Sequence, residues 1–92
     1  MRTQEAENPL LDSEFFWYNI LEGDQIIIEV DYFVDHELVL RRGRPYQVLS
    51  KIETDSCNMA FIVESDITGQ LVFIHPFMID DYILNPQRPS IN

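Results

Sequence analysis

Basic residues are scarce in this 92-residue chain, which has 6 Lys and Arg against 16 Asp and Glu and a formal net charge of −10. Proteins bind nucleic acid and anionic lipid largely through a positive field, so this balance opposes direct contact with either one. We therefore expect no direct nucleic-acid ligand and no membrane partner. The sign of the charge favours a protein partner with a basic surface.

Cysteine and long apolar runs are nearly absent as well. Cys57 stands alone, which excludes an intrachain disulfide and suits a reducing compartment. The longest apolar runs fall far short of the ~20 residues that span a bilayer, and the first residues lack the basic and apolar regions of a secretory signal. The composition predicts a soluble, cytoplasmic protein.

Residue patterns that carry catalysis or bind cofactors are sparse. Three isolated glycines exclude a glycine-rich phosphate loop, and Cys57 lies in a polar stretch without an activating neighbour. His36 stands between two carboxylates, but His75 is far along the chain, so the metal pattern is weak. Carboxylates are too numerous to indicate one tuned acid/base pair. We predict a protein that is not an enzyme and has no catalytic residues, metal or cofactor.

The chain has enough apolar residues to fold, since 46% of it is hydrophobic and 12% is aromatic. We expect an N-terminal helical extension at 1–24, a small β domain at 25–84 and a flexible C-terminal tail at 85–92. Pro9 favours the first turn of a helix and Gly23 favours its end, so the helix is expected between them. The aromatic residues at 15–18 either pack on the neighbouring sheet or form an exposed anchor for a partner.

Short runs of β-branched and aromatic residues follow the helix, separated by turn residues. Strands are expected at 25–33, 37–41, 46–52, 59–64 and 70–75, with a one-turn helix or a last strand at 77–84. Closure into a barrel is the most direct way to hide the edges of so small a sheet. The sequence therefore predicts a mainly β fold, a small five-stranded antiparallel barrel.

Two parts of the chain resemble the Src-homology-3 family. Segments EVDY and HELVLRRGRPYQVL, at 29–32 and 36–49, are similar to its first strand, long loop, glycine turn and apolar strand. Segments TGQLVFIHP and DYI, at 68–76 and 81–83, are similar to its G-x-x-G-Y-I-P-S-N-Y-V ending. The resemblance implies a Src-homology-3-like barrel with a peptide groove. Its lining residues here would be Tyr32, Phe33, Pro76 and Tyr82.

A compact pattern also looks like the small Src-homology-like barrels found among bacteriophage early proteins. It consists of G-D-x-I at 23–26, L-x-x-G-x-x-Y-x-V at 40–48 and H-P-F at 75–77. This likeness implies a phage-encoded protein that acts in the host cytoplasm. It does not fix one function, because the functions of such proteins vary.

Acidic residues recur two positions apart in the predicted β domain. The pairs taken as candidate binding residues are Glu29 and Asp31, Asp35 and Glu37, Glu53 and Asp55, and Glu64 and Asp66. Residues two apart in a strand share one face, about 6.6 Å from each other, so each pair is expected to form a stripe with phosphate-like spacing. The pattern favours an inhibitor that mimics nucleic acid and occludes a basic surface of a host protein acting on nucleic acid.

The bases are segregated from the acids. Arg41, Arg42, Arg44 and Lys51 lie in a stretch without acids, at 41–51, so the molecule is expected to be strongly dipolar. Two alternatives to charge mimicry stay open. In one, the acids only solubilise outward strand faces. In the other, the protein is an adaptor that binds a peptide or a subunit through the apolar groove. A monomer and a homodimer both fit the sequence.

Overall fold

The computed structural model of this chain describes residues 9–53 and 59–87, with side chains from Ser13 onward. These residues form one α-helix, eight short strands and one 3-10 turn. The helix α1 is Pro9–Asn19, and the 3-10 turn is Pro76–Met78. The strands are β1 Gln25–Ile28, β2 Tyr32–Val34, β3 Glu37–Leu40, β4 Tyr46–Gln47, β5 Ser50–Glu53, β6 Met59–Glu64, β7 Leu71–Ile74 and β8 Ile79–Ile83.

Helix α1 confirms the expected N-terminal helix, with Pro9 in its first turn. Successive helical positions are about 100° apart, so the aromatic cluster cannot face one side only. Trp17 is buried in the core, whereas Tyr18 is 74% exposed. Packing into the fold is therefore confirmed for Trp17, and a partner-anchoring role for the exposed Tyr18 stays a prediction. No helix in the described part of the chain is long and apolar enough to cross a bilayer.

The strands pair antiparallel in three sheets, which confirms a mainly β antiparallel fold. The strand orders are β4-β1-β8, β2-β3 and β5-β6-β7. The predicted number of strands is wrong, because eight strands replace five. The expected closed barrel is not found either, since hydrogen bonding among the described residues leaves each sheet open.

Two expected strands are each broken in two. The strand expected at 25–33 stops after Ile28, bends at 29–31 and resumes as β2. The strand expected at 46–52 changes partners in its middle. The N–H of Val48 donates to the Asp24 carbonyl, and the N–H of Leu49 donates to the Ile62 carbonyl, both at 2.8 Å. The chain passes here from the β1 sheet to the β6 sheet, so these two residues belong to neither strand.

The core lies between the helix and the two larger sheets. The Trp17 and Phe61 rings pack at 5.2 Å between centroids, and the fully buried Phe61 stabilises the fold by an amount on the order of 3 kcal/mol. The other buried apolar residues are Ile20, Ile26, Ile28, Val39, Leu40, Tyr46, Val48, Ala60, Val63, Val72, Ile74 and Ile79. Ile83 is exposed and lies opposite Gln25, on the face of β1 away from the buried Ile26 and Ile28.

Asp24 is a buried carboxylate at the junction of the helix, β1 and the chain after β8. Its side chain accepts the backbone N–H groups of Leu21 and Asn85, both at 2.8 Å. Asn85 is the first residue of the predicted flexible tail, and this bond ties it to the domain. The neighbouring Gly23 has a φ of 94°, and a Cβ there would lie 2.9 Å from the Asn85 side-chain amide. The positive φ therefore favours glycine at this turn, because a side chain there would be strained.

Candidate protein-binding surface

The predicted acidic residues lie in turns and at strand ends. Glu29 and Asp31 occupy the bend after β1, and Asp35 is in the turn between β2 and β3. Glu37 begins β3, Glu53 ends β5, Glu64 ends β6 and Asp66 follows in a turn. Asp55 lies outside the described residues. None of the described pairs sits within one strand, so the stripes expected from strand geometry do not form.

Two of the predicted acids in the β5-β6-β7 sheet, Glu53 and Glu64, are far from each other. Glu53 lies opposite Met59 at one end of β6, and Glu64 is at the other end. The length of β6 separates them by about 17 Å at ~3.3 Å per residue. That distance exceeds the Debye length of about 8 Å at physiological salt, so the two charges act independently. The predicted acids do not form one contiguous face.

The turn between β2 and β3 exposes a second pair of acids. Val34 lies opposite Glu37, so the loop between them has only the residues Asp35 and His36. Both have left-handed backbones, with φ of 52° and 69°, as a two-residue hairpin turn demands. Neither residue is a glycine, so the turn holds two side chains in a conformation that they seldom adopt. Asp35, His36 and Glu37 are all exposed at the tip of this hairpin.

The pairing of β1 with β8 brings Glu29 close to two acids that are distant from it in the sequence, Asp80 and Asp81. Ile27 lies opposite Asp81 and Ile28 opposite Ile79, which leaves Asp80 as the extra residue of a β-bulge. One step further, the N–H of Glu29 donates to the Met78 carbonyl at 3.2 Å. Glu29, Asp80 and Asp81 are all exposed. We call these three residues the acidic cluster.

The acidic cluster forms no ion pair with a described residue. Asp66, at the other side of the β1 sheet, is in contrast paired with two arginines. Two carboxylates about 6 Å apart in water repel by about 0.7 kcal/mol, and salt screens much of that. The cluster is therefore tolerated as a surface feature. Its negative field is left for solvent ions or a partner.

Asp66 faces the turn between β3 and β4. This turn contains Arg41, Arg42 and Arg44, and we call it the arginine turn. Its carboxylate lies 2.9 Å from Nε of Arg44 and 3.7 Å from Nε of Arg41. The Tyr46 hydroxyl donates to the same carboxylate at 2.7 Å. This hydrogen bond first, and then the two guanidinium groups, hold the pKa of Asp66 below its ordinary value of 3.8. Asp66 is thus engaged within the fold.

Tyr46 connects that site to the core. Its hydroxyl accepts the N–H of Arg41 at 2.8 Å while its ring is buried. Burial is the main reason that the pKa of Tyr46 is raised above its ordinary value of 10.0, and the donated bond to Asp66 adds to the shift. Nearby, Asp31 accepts the N–H of Arg42 at 2.8 Å. Two predicted binding acids, Asp31 and Asp66, therefore organise the arginine turn.

The residues of the expected peptide groove are in different environments. Pro76 is buried, and Tyr32 packs half-buried against the core. Phe33, the next residue on β2, is exposed. The Tyr82 ring is flanked by Phe15 and Phe16 of the helix, at 6.4 and 5.8 Å between centroids. The helix therefore covers one wall of the expected groove.

Two exposed apolar residues next to the acidic cluster were missed by the sequence analysis. Val30 follows Glu29 and is 63% exposed, and Phe77 precedes Met78 and is 67% exposed. The hydrogen bond between Glu29 and Met78 holds these neighbours close. The Phe77 ring also stacks on His75 at 5.6 Å with an interplanar angle of 4°. No local sequence signal could have united these residues, because the pairing of β1 with β8 is non-local.

No group of three or more His, Cys, Asp or Glu side chains could hold a metal ion in the described ranges, 9–53 and 59–87. Comparison of the chain with protein-family models, with curated proteins and with solved structures found no match. The physical features of the surface are therefore the basis for a functional assignment.

Proposed function

We propose that this protein is a non-catalytic binding protein that occupies a basic surface of a protein partner acting on nucleic acid. The observation that carries the proposal is the acidic cluster, three exposed carboxylates that form no ion pair with a described residue. Such a surface attracts a basic site by long-range electrostatics and competes there with the natural polyanion. The partner is blocked by occupancy, with no turnover.

The distribution of charge supports an oriented encounter. The arginine turn is on the β4 side of β1, where the N–H of Gly43 donates to the Ile28 carbonyl. The acidic cluster is on the β8 side of the same strand end. A molecule with a net charge of −10 and its bases on one side approaches a positive surface with the opposite side first.

Apolar contact would add affinity that salt does not screen. Val30 and Phe77 are exposed beside the acidic cluster and would be desolvated by any partner that covers it. Buried apolar surface contributes about 25 cal/mol per Å², and aromatic residues are frequent anchors in interfaces. The proposed surface thus combines charges for attraction with two side chains for attachment.

We also propose that the fold that carries this surface is a Src-homology-3-like barrel. The order of elements supports it: a first strand, a long loop that contains the β2-β3 hairpin, a turn at Gly43 and an apolar segment. That segment crosses between the two larger sheets at Val48 and Leu49. A second candidate function follows, a peptide- or subunit-binding adaptor. Exposed Phe33 is the observation that favours it.

The test is a capture experiment with the tagged full chain and a host lysate, washed at about 0.1 M and about 0.5 M salt. The Debye length falls from about 10 Å at 0.1 M toward 3 Å at 1 M, so exposed charge contacts weaken across this range. We expect a partner that acts on nucleic acid to be retained at low salt, released at high salt and displaced by added DNA.

The decisive variant is Glu29→Gln with Asp80→Asn and Asp81→Asn. A matched control removes three other exposed acids: Glu22→Gln, Glu53→Gln and Glu64→Gln. Only the first variant should lose the partner. Equal loss in both variants would reduce the effect to net charge and overturn the role of the cluster. Loss after Phe33→Ala at both salts, with the cluster variant unaffected, would favour the adaptor instead.

A further inference from the structure

Strand β7 is an open edge of its sheet. It pairs with β6 and with no other described strand. The N–H of Ser65 donates to the Gln70 carbonyl at 2.8 Å, which makes Ser65 and Gln70 a hydrogen-bonded pair just before the strand. Hydrogen-bonded pairs alternate along antiparallel strands, so Val72 and Ile74 direct their backbone groups to β6. Leu71 and Phe73 therefore direct their N–H and C=O groups to the open edge.

The side chains of the same two residues are also exposed. Leu71 is 58% exposed and Phe73 is 51% exposed. Phe73 lies opposite the partly buried Ile62 of β6, so the apolar surface extends from the edge onto the face of the sheet. An edge strand with unpaired backbone and apolar side chains is a template for pairing with another strand.

This edge lacks the charges that usually protect one. The segment 67–79, which includes all of β7, has no Asp, Glu, Lys or Arg, in a chain where 24% of residues are charged. The other edge of the sheet, β5, carries Lys51 and Glu53. Edge strands are commonly guarded by charged residues, proline or bulges. The described β7 has none of these, so association is not opposed there.

We propose that β7 pairs with β7 of a second copy of this chain, antiparallel about a two-fold axis at Val72. Leu71 of each copy then lies opposite Phe73 of the other. The two N–H and two C=O groups that each copy directs outward form four hydrogen bonds across the axis. The result is a continuous six-stranded sheet with one self-complementary interface.

Charge is the reason for choosing a second copy as the occupant. Two chains with a net charge of −10 repel each other wherever their acids meet, and β7 is part of the longest stretch free of charged residues. The nearest acid on the sheet is Glu64, opposite Leu71 on β6. In the proposed dimer the two β6 strands are three strand spacings apart, about 14 Å, beyond the Debye length of about 8 Å. A basic partner would find no opposite charge on this edge.

The first test is sedimentation equilibrium of the full chain up to about 1 mM, the upper range of weak specific association. We expect a monomer–dimer equilibrium that added salt strengthens, because salt screens the repulsion between copies. The partner complex proposed above weakens with salt, so the two associations respond in opposite directions. A chain that stays monomeric throughout would overturn the dimer and leave the partner proposal untouched.

The variant is Leu71→Lys with Phe73→Lys, which sets lysines opposite each other in both apolar pairs. The control is Tyr18→Lys with Leu84→Lys, two exposed apolar residues outside β7 with the same change in charge. Dimerisation should weaken at least about tenfold in the β7 variant and little in the control. Unchanged dimerisation of a folded β7 variant would overturn the proposal.

Cysteine cross-linking tests the register. In a Cys57→Ser background, chains with Leu71→Cys are mixed with chains with Phe73→Cys. The paired Cα atoms would be about 5.5 Å apart, within the range that a disulfide spans. We expect the mixed disulfide to form faster than either homodimeric disulfide, whose Cα atoms are two residues out of register. Faster formation of a homodimeric disulfide would overturn the two-fold axis at Val72.

Discussion

The arginine turn and the acidic cluster lie on opposite sides of the end of β1. Carboxylates are bound by other side chains at the turn and are exposed without ion pairs in the cluster. At the turn, Asp66 is surrounded by Tyr46, Arg41 and Arg44. In the cluster, Glu29, Asp80 and Asp81 form no ion pair with a described residue, although Asp81 accepts the N–H of Tyr82 at 2.8 Å. The same residue types are thus structural in one region and free for recognition in the other. Counting acids along the chain does not distinguish the two roles.

Asp24 is a fully buried carboxylate, and its removal should have the largest effect on the free energy of unfolding. Asp24→Ala leaves the buried N–H groups of Leu21 and Asn85 without their acceptor. Each such group costs about 1 to 3 kcal/mol, so we expect the free energy of unfolding to fall by about 2 to 4 kcal/mol in urea denaturation. Glu22→Ala, at an exposed neighbour, should stay within about 0.5 kcal/mol. Similar losses in both variants would contradict the internal role of Asp24.

Tyr46→Phe tests the arginine turn itself. The substitution keeps the buried ring but deletes the hydroxyl that joins Arg41 and Asp66. Loss of these bonds should lower the free energy of unfolding by about 1 kcal/mol, measured by chemical denaturation. The matched control is Tyr18→Phe, because the Tyr18 side chain is exposed. An unaltered midpoint for Tyr46→Phe would mean that solvent replaces the hydroxyl at no cost.

The pH dependence of stability should show both shifted groups of the turn. The folded pKa of Asp66 lies below 3.8, so its contribution is present above that pH and disappears as pH falls through the lower folded value. The folded pKa of Tyr46 lies above 10.0, so its contribution is present below that pH and disappears as pH rises through the higher folded value. Between neutral and acid pH, the free energy of unfolding should therefore depend less on pH in Asp66→Asn than in the control variant Glu64→Gln. The same pH dependence in both variants would show that Asp66 is not the group responsible for the loss of stability in acid.

Neutralising the acidic cluster should have the smallest effect on stability. Glu29→Gln with Asp80→Asn and Asp81→Asn removes modest repulsion and no described ion pair. We expect the free energy of unfolding to change by no more than about 0.5 kcal/mol, in the stabilising direction, measured by thermal denaturation at low and high salt. A marked loss of stability would show that the cluster is structural and would remove the contrast with the arginine turn.

Local residue patterns predicted part of the fold well. The boundaries of β6 were expected at Met59 and Glu64 and are found there, because an uninterrupted apolar run from Met59 to Val63 fills the strand. The break between β4 and β5 was missed, since it depends on which strands receive the N–H groups of Val48 and Leu49. The acid stripes failed for a related reason. A bend after Ile28 removes Glu29 and Asp31 from the strand whose geometry defined them.

The sequence alone determined the sign and size of the charge, the helix near Pro9, the mainly β character and the segregation of the bases. These follow from composition and short-range periodicity, which need no knowledge of distant neighbours. Tertiary structure decided which acids are engaged and which are exposed together. Asp80 and Asp81 meet Glu29 only because β8 pairs with β1, more than fifty residues away in the chain. Strand pairing is non-local, so the acidic cluster and the open edge of β7 are properties of the folded molecule.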